Sequence, residues 1–192
     1  MSTWKIDPAH TDALFSAKHM MVTTVRGKFH EVEGTLEIDE DAPTRSRGEF
    51  RVAAASLNTG VAPRDQHLRS ADFFDVEREP WITFTSTSVE HVRDDDYKVT
   101  GDLTIRGTTR PVTFDVTLGG IAQGMRGGRH LGLSATTRID REDWGLNWNM
   151  ALEAGGWLVG KEIKVEVEVA ADEVASDQAA ARADAEPAAV AS

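Results

Sequence analysis

The stretch Ile163-Lys164-Val165-Glu166-Val167-Glu168-Val169 alternates apolar and charged side chains without interruption. Because successive side chains of a strand point to opposite faces, this pattern predicts a β-strand with one apolar and one solvated face. The same period of two recurs over Tyr97 to Ile105, Val112 to Leu118 and Leu131 to Ile139. The sequence lacks long stretches of helical periodicity, so the chain is predicted to be all-β.

Four more strands are predicted from the same alternation or from a high content of β-branched and aromatic residues. They are Ala13 to Val22, Lys28 to Asp39, Glu49 to Ser56 and Trp81 to His91. Within the second of these, Phe29 is out of phase with Val32 and Leu36. A β-bulge between Phe29 and Val32 would restore the register, because it adds a residue to the strand.

Only short helices are predicted. Pro63 to Ser70 is typical of a helix, with the proline near the first turn where its missing N–H costs least. A second helical turn is predicted from Asp140 to Trp144. The sequence thus predicts an antiparallel meander of about eight strands with short connections and one or two short helices. Such a meander either closes into a barrel or folds into a sandwich. Alternation alone does not separate these two.

The composition describes a single acidic domain. With 192 residues, the chain is long enough for one substantial core and short for two domains. The net charge of −11 argues against a nucleic-acid partner and against electrostatic binding to anionic membranes, since both need clustered lysine and arginine. Cysteine is absent, which excludes disulfides and thiolate chemistry. No run spans a membrane and no secretory signal is recognised at the N-terminus, so a cytoplasmic location is expected.

The character of the sequence changes near residue 171. Residues 172–192 are rich in alanine and acidic side chains and contain no aromatic residue. Such a segment cannot bury enough apolar surface to offset the entropy lost on ordering. We therefore expect a folded domain over residues 1–171 and a disordered tail over residues 172–192. Truncation after Ala170 is expected to leave function intact.

Several segments, in order along the chain, resemble the YceI-like family of lipid-binding proteins. They are Trp4 to Thr11 with Phe15 to His19, Thr24 to Phe29, Ser56 to Gly60 with Arg64 to Val76, Pro80 to Thr87, Gly101 to Val112, and Ile139 to Leu146. The resemblance extends from Trp4 to about Ala170. Two features depart from the family: its members are often exported, whereas no signal is recognised here, and Thr11 stands where serine is usual.

The resemblance implies an extended, lipocalin-like barrel. The expected fold is thus a single closed antiparallel barrel of eight strands. The family also implies the ligand, a long isoprenoid lipid such as a polyisoprenoid pyrophosphate or a quinone, held along the barrel axis; other members hold fatty-acid-like amides. The protein is accordingly expected to bind, and to carry or store, such a lipid, and a homodimer is suggested on the same grounds.

The wall of the binding site is expected among the inward side chains of the strands. The candidates are Phe15, His19, Phe50, Val52, Phe84, Val99, Leu103, Phe114 and Leu133. A filled interior is the alternative, because alternating apolar faces usually form a packed core. An inward histidine such as His19 is likewise more often a core residue than a ligand contact.

Polar contacts to the ligand are expected near the mouth of the barrel. Three side chains are candidates for binding a head group: Lys18, Arg64 and His67. A guanidinium bonds two phosphate oxygens at once, and the helix N-terminus near Arg64 offers free N–H groups. The alternative for Arg64 is an ion pair with Asp65. Three tryptophans are expected to close one end of the barrel, either on a loop that folds over it or as a plain hydrophobic plug: Trp144, Trp148 and Trp157.

An enzyme and an interaction module with a filled core are the rival functional classes. The chain contains six histidines and many carboxylates, but no nucleophile elbow, no glycine-rich phosphate loop and no His-x-x-x-His spacing. We therefore expect no enzymatic activity and no need for a cofactor or metal. Turnover of an isoprenoid pyrophosphate would favour the enzyme, and a clean ligand-free mass would favour the module.

Overall fold

A computed structural model of the protein describes residues 1–124, 127–153 and 155–175. The strands are β1 (Ser2–Ile6), β2 (Asp12–His19), β3 (Thr23–Phe29), β4 (Val32–Ile38), β5 (Arg47–Ala53), β6 (Leu57–Asn58), β7 (Trp81–Arg93), β8 (Asp96–Ile105), β9 (Thr108–Gln123), β10 (Arg129–Asp140) and β11 (Val159–Glu173). The described residues also form one α-helix, α1 (Ala62–Arg69), and short 3₁₀ turns at Pro43–Arg45, Ala54–Ser56 and Arg141–Trp144. The all-β fold with short helices is confirmed.

The strands form one antiparallel sheet that closes on itself. Its order is β1-β4-β5-β7-β8-β9-β10-β11-β2-β3-β6, with a further pairing between β1 and β11. β1 and β2 lie end to end along β11, as the pairs Ile6 with Ala171 and Asp12 with Glu168 show. β3 and β4 follow each other in the same way, and so do β5 and β6. The eleven segments therefore make eight barrel strands, and the structure is the closed barrel rather than the sandwich.

The break between β3 and β4 lies where the sequence predicts a bulge. Phe29 and Val32 are both buried although two residues separate them, and those two residues, His30 and Glu31, are exposed. The backbone is still bonded across the break, since His30 N–H donates to the carbonyl oxygen of Ser56 over 3.4 Å. The additional residue keeps the apolar side chains of β4 on the inner face.

The last strand extends beyond the domain boundary predicted at residue 171. Glu173 pairs with Trp4 on β1, and the N–H of Val174 donates to the carbonyl oxygen of Thr3 over 2.8 Å. Asp172 and Glu173 are therefore part of the barrel and not of a tail. Residues 176–192 lie outside the described residues, so the disorder expected there stays a prediction.

The two ends of the barrel are built from different parts of the chain. One end carries α1, the turn between β2 and β3, and residues 140–153 and 155–159, and we call it the helix end. The other end carries Ser2, Glu173 and the turn 39–46, and we call it the terminal end. The strands run between these two ends, so a residue's position along its strand gives its depth inside the barrel.

Candidate ligand-binding cavity

The barrel is hollow. It contains a cavity of about 870 Å³, within the usual range for pockets that bind small molecules. The lining extends from His19, His67 and Trp148 at the helix end to Ile38 and Ile121 at the terminal end. Most of the lining side chains are aliphatic or aromatic, so the cavity is apolar along its length. A filled interior does not describe this barrel.

β11 gives a measure of the cavity's length. Val159 and Val169 both line the cavity and lie ten residues apart on this strand. Ten residues cover roughly 33 Å along a strand, which becomes roughly 25 Å along the barrel axis at a tilt of about 40°. The cavity is therefore elongated and suits a chain-shaped molecule.

All nine side chains predicted to form the wall line this cavity. They are Phe15, His19, Phe50, Val52, Phe84, Val99, Leu103, Phe114 and Leu133. Some also pack against one another; the rings of Phe84 and Phe114, for example, meet edge to face with their centroids 5.2 Å apart. Their position is thus established, whereas their contact with a ligand stays a prediction.

Two of the lining phenylalanines lie over glycines of neighbouring strands. Phe15 is paired with Gly27, and a Cβ atom added at position 27 would collide with the Phe15 ring. The ring of Phe84 covers Gly101 in the same way. Because glycine has no side chain, each ring can lie against the wall instead of crossing the cavity. Glycine inside a strand is the sequence signal for such a close approach, and the alternation of residues does not reveal it.

Arg64 and Asp65 both form hydrogen bonds with Thr59 and do not form an ion pair with each other. Arg64 donates from Nε to the hydroxyl of Thr59 over 2.7 Å and from Nη2 to the Thr59 carbonyl oxygen over 2.8 Å. The buried carboxylate of Asp65 accepts from the Thr59 N–H over 2.9 Å and from its hydroxyl over 2.5 Å. The Arg64–Asp65 ion pair considered above is therefore replaced by a shared anchor on the loop before α1.

The other two head-group candidates also lie at the helix end. His67 lines the cavity, meets Trp148 edge to face at a centroid distance of 4.5 Å, and places Nε2 2.9 Å from Oδ2 of Asp72. Lys18 is exposed and lies among the lining residues next to His19. The structure thus brings Lys18, Arg64 and His67 to one end of the cavity, and their binding of a head group stays a prediction.

Two of the three tryptophans expected to close the barrel do line the cavity. Trp144 is buried, and its Nε1 donates to the carbonyl oxygen of Leu103 over 3.1 Å. Trp148 belongs to the loop that follows the 3₁₀ turn and packs against His67 and Phe73. Trp157 instead points to solvent with half of its surface exposed, so the expectation for this residue was wrong. The backbone around it forms an outer hairpin with Ala151.

Arg141 is a cavity residue to which sequence reasoning assigned no role. It is 4 % exposed, donates from Nε to the carbonyl oxygen of Gly160 over 3.0 Å, and donates from Nη1 to that of Leu146. Burial lowers the pKa of its guanidinium, and no partner for Nη2 is found among the described residues. The alternation along β10 could have identified this residue, because Ile139 and position 141 are two residues apart and therefore fall on the same inward face.

Residues 1–124, 127–153 and 155–175 contain neither a cluster of metal ligands nor a membrane-spanning helix. No group of three or more histidine, cysteine, aspartate or glutamate side chains is placed to hold a metal ion in this part of the chain. None of the helices described there has the length and hydropathy that crossing a bilayer requires.

The YceI-like domain family matches residues 4–171, nearly the whole described barrel. The chain belongs to the YceI-like family. UPF0312 proteins of Staphylococcus aureus are 38 % identical to it over 167 residues, which cover 86 % of this chain and 95 % of theirs. The resemblance stated from the sequence is thereby confirmed.

Solved structures show the same barrel. BcnA of Burkholderia cenocepacia superimposes with a TM-score of 0.74 at 22 % identity, covering 86 % of this YceI-like chain and 98 % of BcnA. The YceI protein of Campylobacter jejuni gives 0.70 at 28 % identity, covering 82 % and 90 %. A polyisoprenoid-binding domain of Saccharophagus degradans gives 0.68 at 13 % identity, covering 91 % and 100 %. These similarities establish the fold.

Proposed function

We propose that this YceI-like protein binds a long isoprenoid lipid, as a polyisoprenoid pyrophosphate or a quinone, inside the barrel, and that it carries or stores this lipid. The observation that carries the proposal is the elongated apolar cavity of about 870 Å³. An interior of this kind offers a water-insoluble chain a place out of water. The same fold in the S. degradans polyisoprenoid-binding domain is compatible with such a ligand.

The dimensions suit an isoprenoid chain. Each isoprene unit adds four chain bonds, or roughly 5 Å when extended at about 1.5 Å per bond, so a cavity roughly 25 Å long holds about five units. Each buried CH₂ group contributes about 0.8 kcal/mol, so one five-carbon unit contributes a few kcal/mol. Ordering the chain and losing its free tumbling cost several kcal/mol in total. A handful of units therefore suffices for tight binding without any polar contact.

The polar end of the ligand is assigned to the helix end of the cavity. Lys18, Arg64 and His67 are all lining residues of this end, and cationic side chains of these types can bind a phosphate oxygen. At the terminal end, the lining side chains Asp39 and Arg47 form ion pairs with Arg45 and Glu37. In this arrangement the apolar chain supplies most of the affinity, and the polar groups at the mouth select the head group.

Binding, rather than catalysis, is the function we propose for this site. The wall consists mostly of hydrocarbon side chains, and His67, a titratable group at the helix end, already lies within hydrogen-bonding distance of Asp72. An enzyme that acts on an isoprenoid pyrophosphate would release a product. Turnover by purified protein that His19→Ala abolishes would contradict the proposal.

Native mass spectrometry of the full chain, purified without detergent, tests the proposal. We expect a fraction of the protein to carry a mass increment, and organic extraction of the same sample to release a molecule with an isoprenoid fragmentation pattern. Delipidated protein should also take up a polyisoprenoid quinone in preference to a saturated fatty acid of equal length. A clean ligand-free mass together with failure to reload with either lipid would contradict lipid binding, and preferential uptake of the fatty acid would contradict the isoprenoid.

A further inference from the structure

The helix end of the barrel exposes a cluster of large apolar side chains. Of the nine large apolar residues that are exposed in the described part of the chain, six lie at this end. They are Met20, Met21, Val22, Val61, Met150 and Trp157. Their exposure ranges from 46 % at Val61 to 77 % at Val22, which is costly in water unless the surface has a partner.

Five of these side chains come from two adjacent loops, and we call these five the apolar rim: Met20, Met21, Val22, Met150 and Trp157. The backbone holds the loops together. The N–H of Met20 donates to the carbonyl oxygen of Leu158 over 2.8 Å, and the N–H of Leu158 donates to that of Met150 over 2.9 Å. A Cβ atom at Gly156, beside Trp157, would lie 3.5 Å from Cγ of Met21.

The apolar rim is continuous with the cavity. Leu158, which joins the two loops, lines the cavity, and so does His19, the residue before Met20. The lining at this end also includes the exposed side chains of Lys18 and Pro63. A molecule that leaves the cavity at the helix end therefore passes directly along the rim.

The turn that displays the methionines is conformationally unfavourable for them. Met20 and Met21 have φ values of 51° and 64°, and the N–H of Val22 donates to the carbonyl oxygen of His19 over 3.2 Å. Positive φ at both central residues is the requirement of a type I′ turn, for which asparagine and glycine are the favoured residues. Two methionines at these positions therefore destabilise the turn. Backbone strain of this kind is typical of positions whose side chains make a functional contact.

The terminal end exposes fewer large apolar side chains among the described residues, namely Met1, Val92 and Val174. Its turns carry ion pairs, with Arg47 Nε 2.5 Å from Oε2 of Glu37 and Arg129 Nη2 2.6 Å from Oε2 of Glu40. Arg129 holds the pKa of Glu40 below its usual range through their hydrogen bond. Ion pairs also occur at the helix end, between Lys161 and Glu142 and between His67 and Asp72, so the two ends differ in the apolar rim and not in the presence of ion pairs.

We propose that the apolar rim docks on the surface of a lipid bilayer, so that a lipid passes between membrane and cavity without crossing water; this inference rests on the proposed function. Methionine, valine and tryptophan side chains at loop tips can insert at the boundary between head groups and acyl chains. Burial of apolar surface drives this docking, because the net charge of −11 opposes attraction to anionic lipids. A second copy of the chain on the rim would instead seal the mouth of the cavity.

The test is flotation of the full chain with vesicles of phosphatidylcholine alone and of phosphatidylcholine mixed with phosphatidylglycerol, each at low and high ionic strength. The wild-type chain should float with both kinds of vesicle, and high ionic strength should not release it from either. The double variant Met20→Asn/Met21→Gly places the favoured residues in the turn and removes two rim side chains. Its fraction bound should fall roughly tenfold or more, since two large apolar contacts are lost, while its thermal stability is unchanged or higher.

A matched pair of single substitutions controls for the general loss of apolar surface. Val22 belongs to the rim, whereas Val92 is half exposed on β7 near the terminal end. Val22→Ser should weaken flotation and Val92→Ser should not. Equal effects of the two substitutions, or equal flotation of the double variant and the wild type, would overturn the proposal.

The remaining outcomes separate other partners from a bilayer. Flotation only with phosphatidylglycerol, or its loss at high salt, would show an electrostatic attachment and overturn the apolar docking. A wild-type dimer in sedimentation velocity that the double variant disrupts, without vesicle binding by the wild type, would assign the rim to a second copy. Protein that floats but never carries lipid contradicts the proposed function alone, and protein that carries lipid but never floats contradicts this inference alone.

Discussion

The indole Nε1 of Trp144 donates a hydrogen bond to the carbonyl oxygen of Leu103, 3.1 Å away, where both residues are buried. This bond ties the 3₁₀ turn after β10 to the wall strand β8 and thereby anchors the helix end of the barrel. Trp144 also packs in the apolar cluster that contains Phe73 and Phe114. The bond therefore holds the turn in place at the helix end of the cavity and stabilises the barrel.

We expect Trp144→Phe to lower the free energy of unfolding by about 1–3 kcal/mol, because phenylalanine cannot donate to the Leu103 carbonyl oxygen. Urea unfolding followed by circular dichroism measures the change. Trp148→Phe is the control, because the Trp148 ring packs against His67 and Phe73 and no hydrogen bond from its indole N–H is found among the described residues. The free energy of unfolding should fall less in this variant than in Trp144→Phe. Equal losses for the two variants would show that the hydrogen bond contributes little.

Gly27→Ala should reduce both stability and lipid binding. A Cβ atom at position 27 collides with the ring of Phe15, which must then move into the cavity. Overpacking of this kind costs about 1–3 kcal/mol. The double variant Gly27→Ala/Phe15→Leu removes the collision and should recover part of the stability. If thermal unfolding shows no recovery in the double variant, the ring is not the cause.

Phe84→Asp should abolish lipid retention. A carboxylate at this position lies on the apolar wall, opposite the ring of Phe114, where an unpaired charge is strongly unfavourable beside a hydrocarbon chain. Thr85→Asp places the same charge on the exposed face of the same strand and should retain lipid. Bound lipid is measured per folded protein by extraction and mass spectrometry. Normal retention by Phe84→Asp would remove Phe84 from the binding site.

Truncation after Ala170 and truncation after Ala175 should differ in their effect on the stability of the barrel. Truncation after Ala170, expected from the sequence to be harmless, removes the buried Ala171 and the pairing of Asp172 and Glu173 with β1. That truncation should destabilise the closed barrel, whereas truncation after Ala175 preserves every described contact and should leave stability and lipid retention unchanged. Thermal unfolding of the two truncated chains distinguishes them, and identical melting would show that the β1–β11 pairing is dispensable.

The ion pair between Asp7 and His10 should make one histidine titrate abnormally. His10 Nδ1 lies 2.6 Å from Oδ2 of Asp7, and this hydrogen bond raises the pKa of His10 and lowers the pKa of Asp7. The contribution of His10 to stability is therefore present below its unfolded pKa of about 6.5 and is lost as the pH rises through its higher folded pKa. Asp7→Asn should return the titration of His10, followed by proton NMR, to the ordinary range, and an unchanged midpoint would contradict this assignment.

The contribution of Asp7 to stability depends on pH in the opposite direction. Because the pKa of Asp7 is lowered by its hydrogen bond to His10, its contribution is present above the unfolded pKa of an aspartate and is lost as the pH falls through its folded pKa. The pair is thus fully charged between the lowered pKa of Asp7 and the raised pKa of His10. Replacing either partner should return the pKa of the remaining group towards its ordinary value.

Local features of the fold could be predicted because they depend on neighbours in the chain. The alternation from Ile163 to Val169 and the phase shift between Phe29 and Val32 both follow from the two-residue period of a strand. The helix beginning near Pro63 follows from the fixed φ of proline. All nine predicted wall residues line the cavity for the same reason, since the apolar face of a strand turns away from water.

The sequence by itself determined eight of the strands, their inward faces and the family. It missed β1, β3 and β6, and the strand predicted from Ala13 to Val22 was wrong at its end, because residues 20–22 form a turn. Tertiary structure alone decided that β11 pairs with β1 as far as Glu173, that Arg141 is buried beside Gly160, that Trp157 faces solvent, and that the methionines of one turn adjoin Met150 and Leu158. Each of these depends on which distant segments become neighbours when the sheet closes. Period and propensity are properties of adjacent residues, whereas burial, pairing and a continuous hollow are properties of the whole closed barrel.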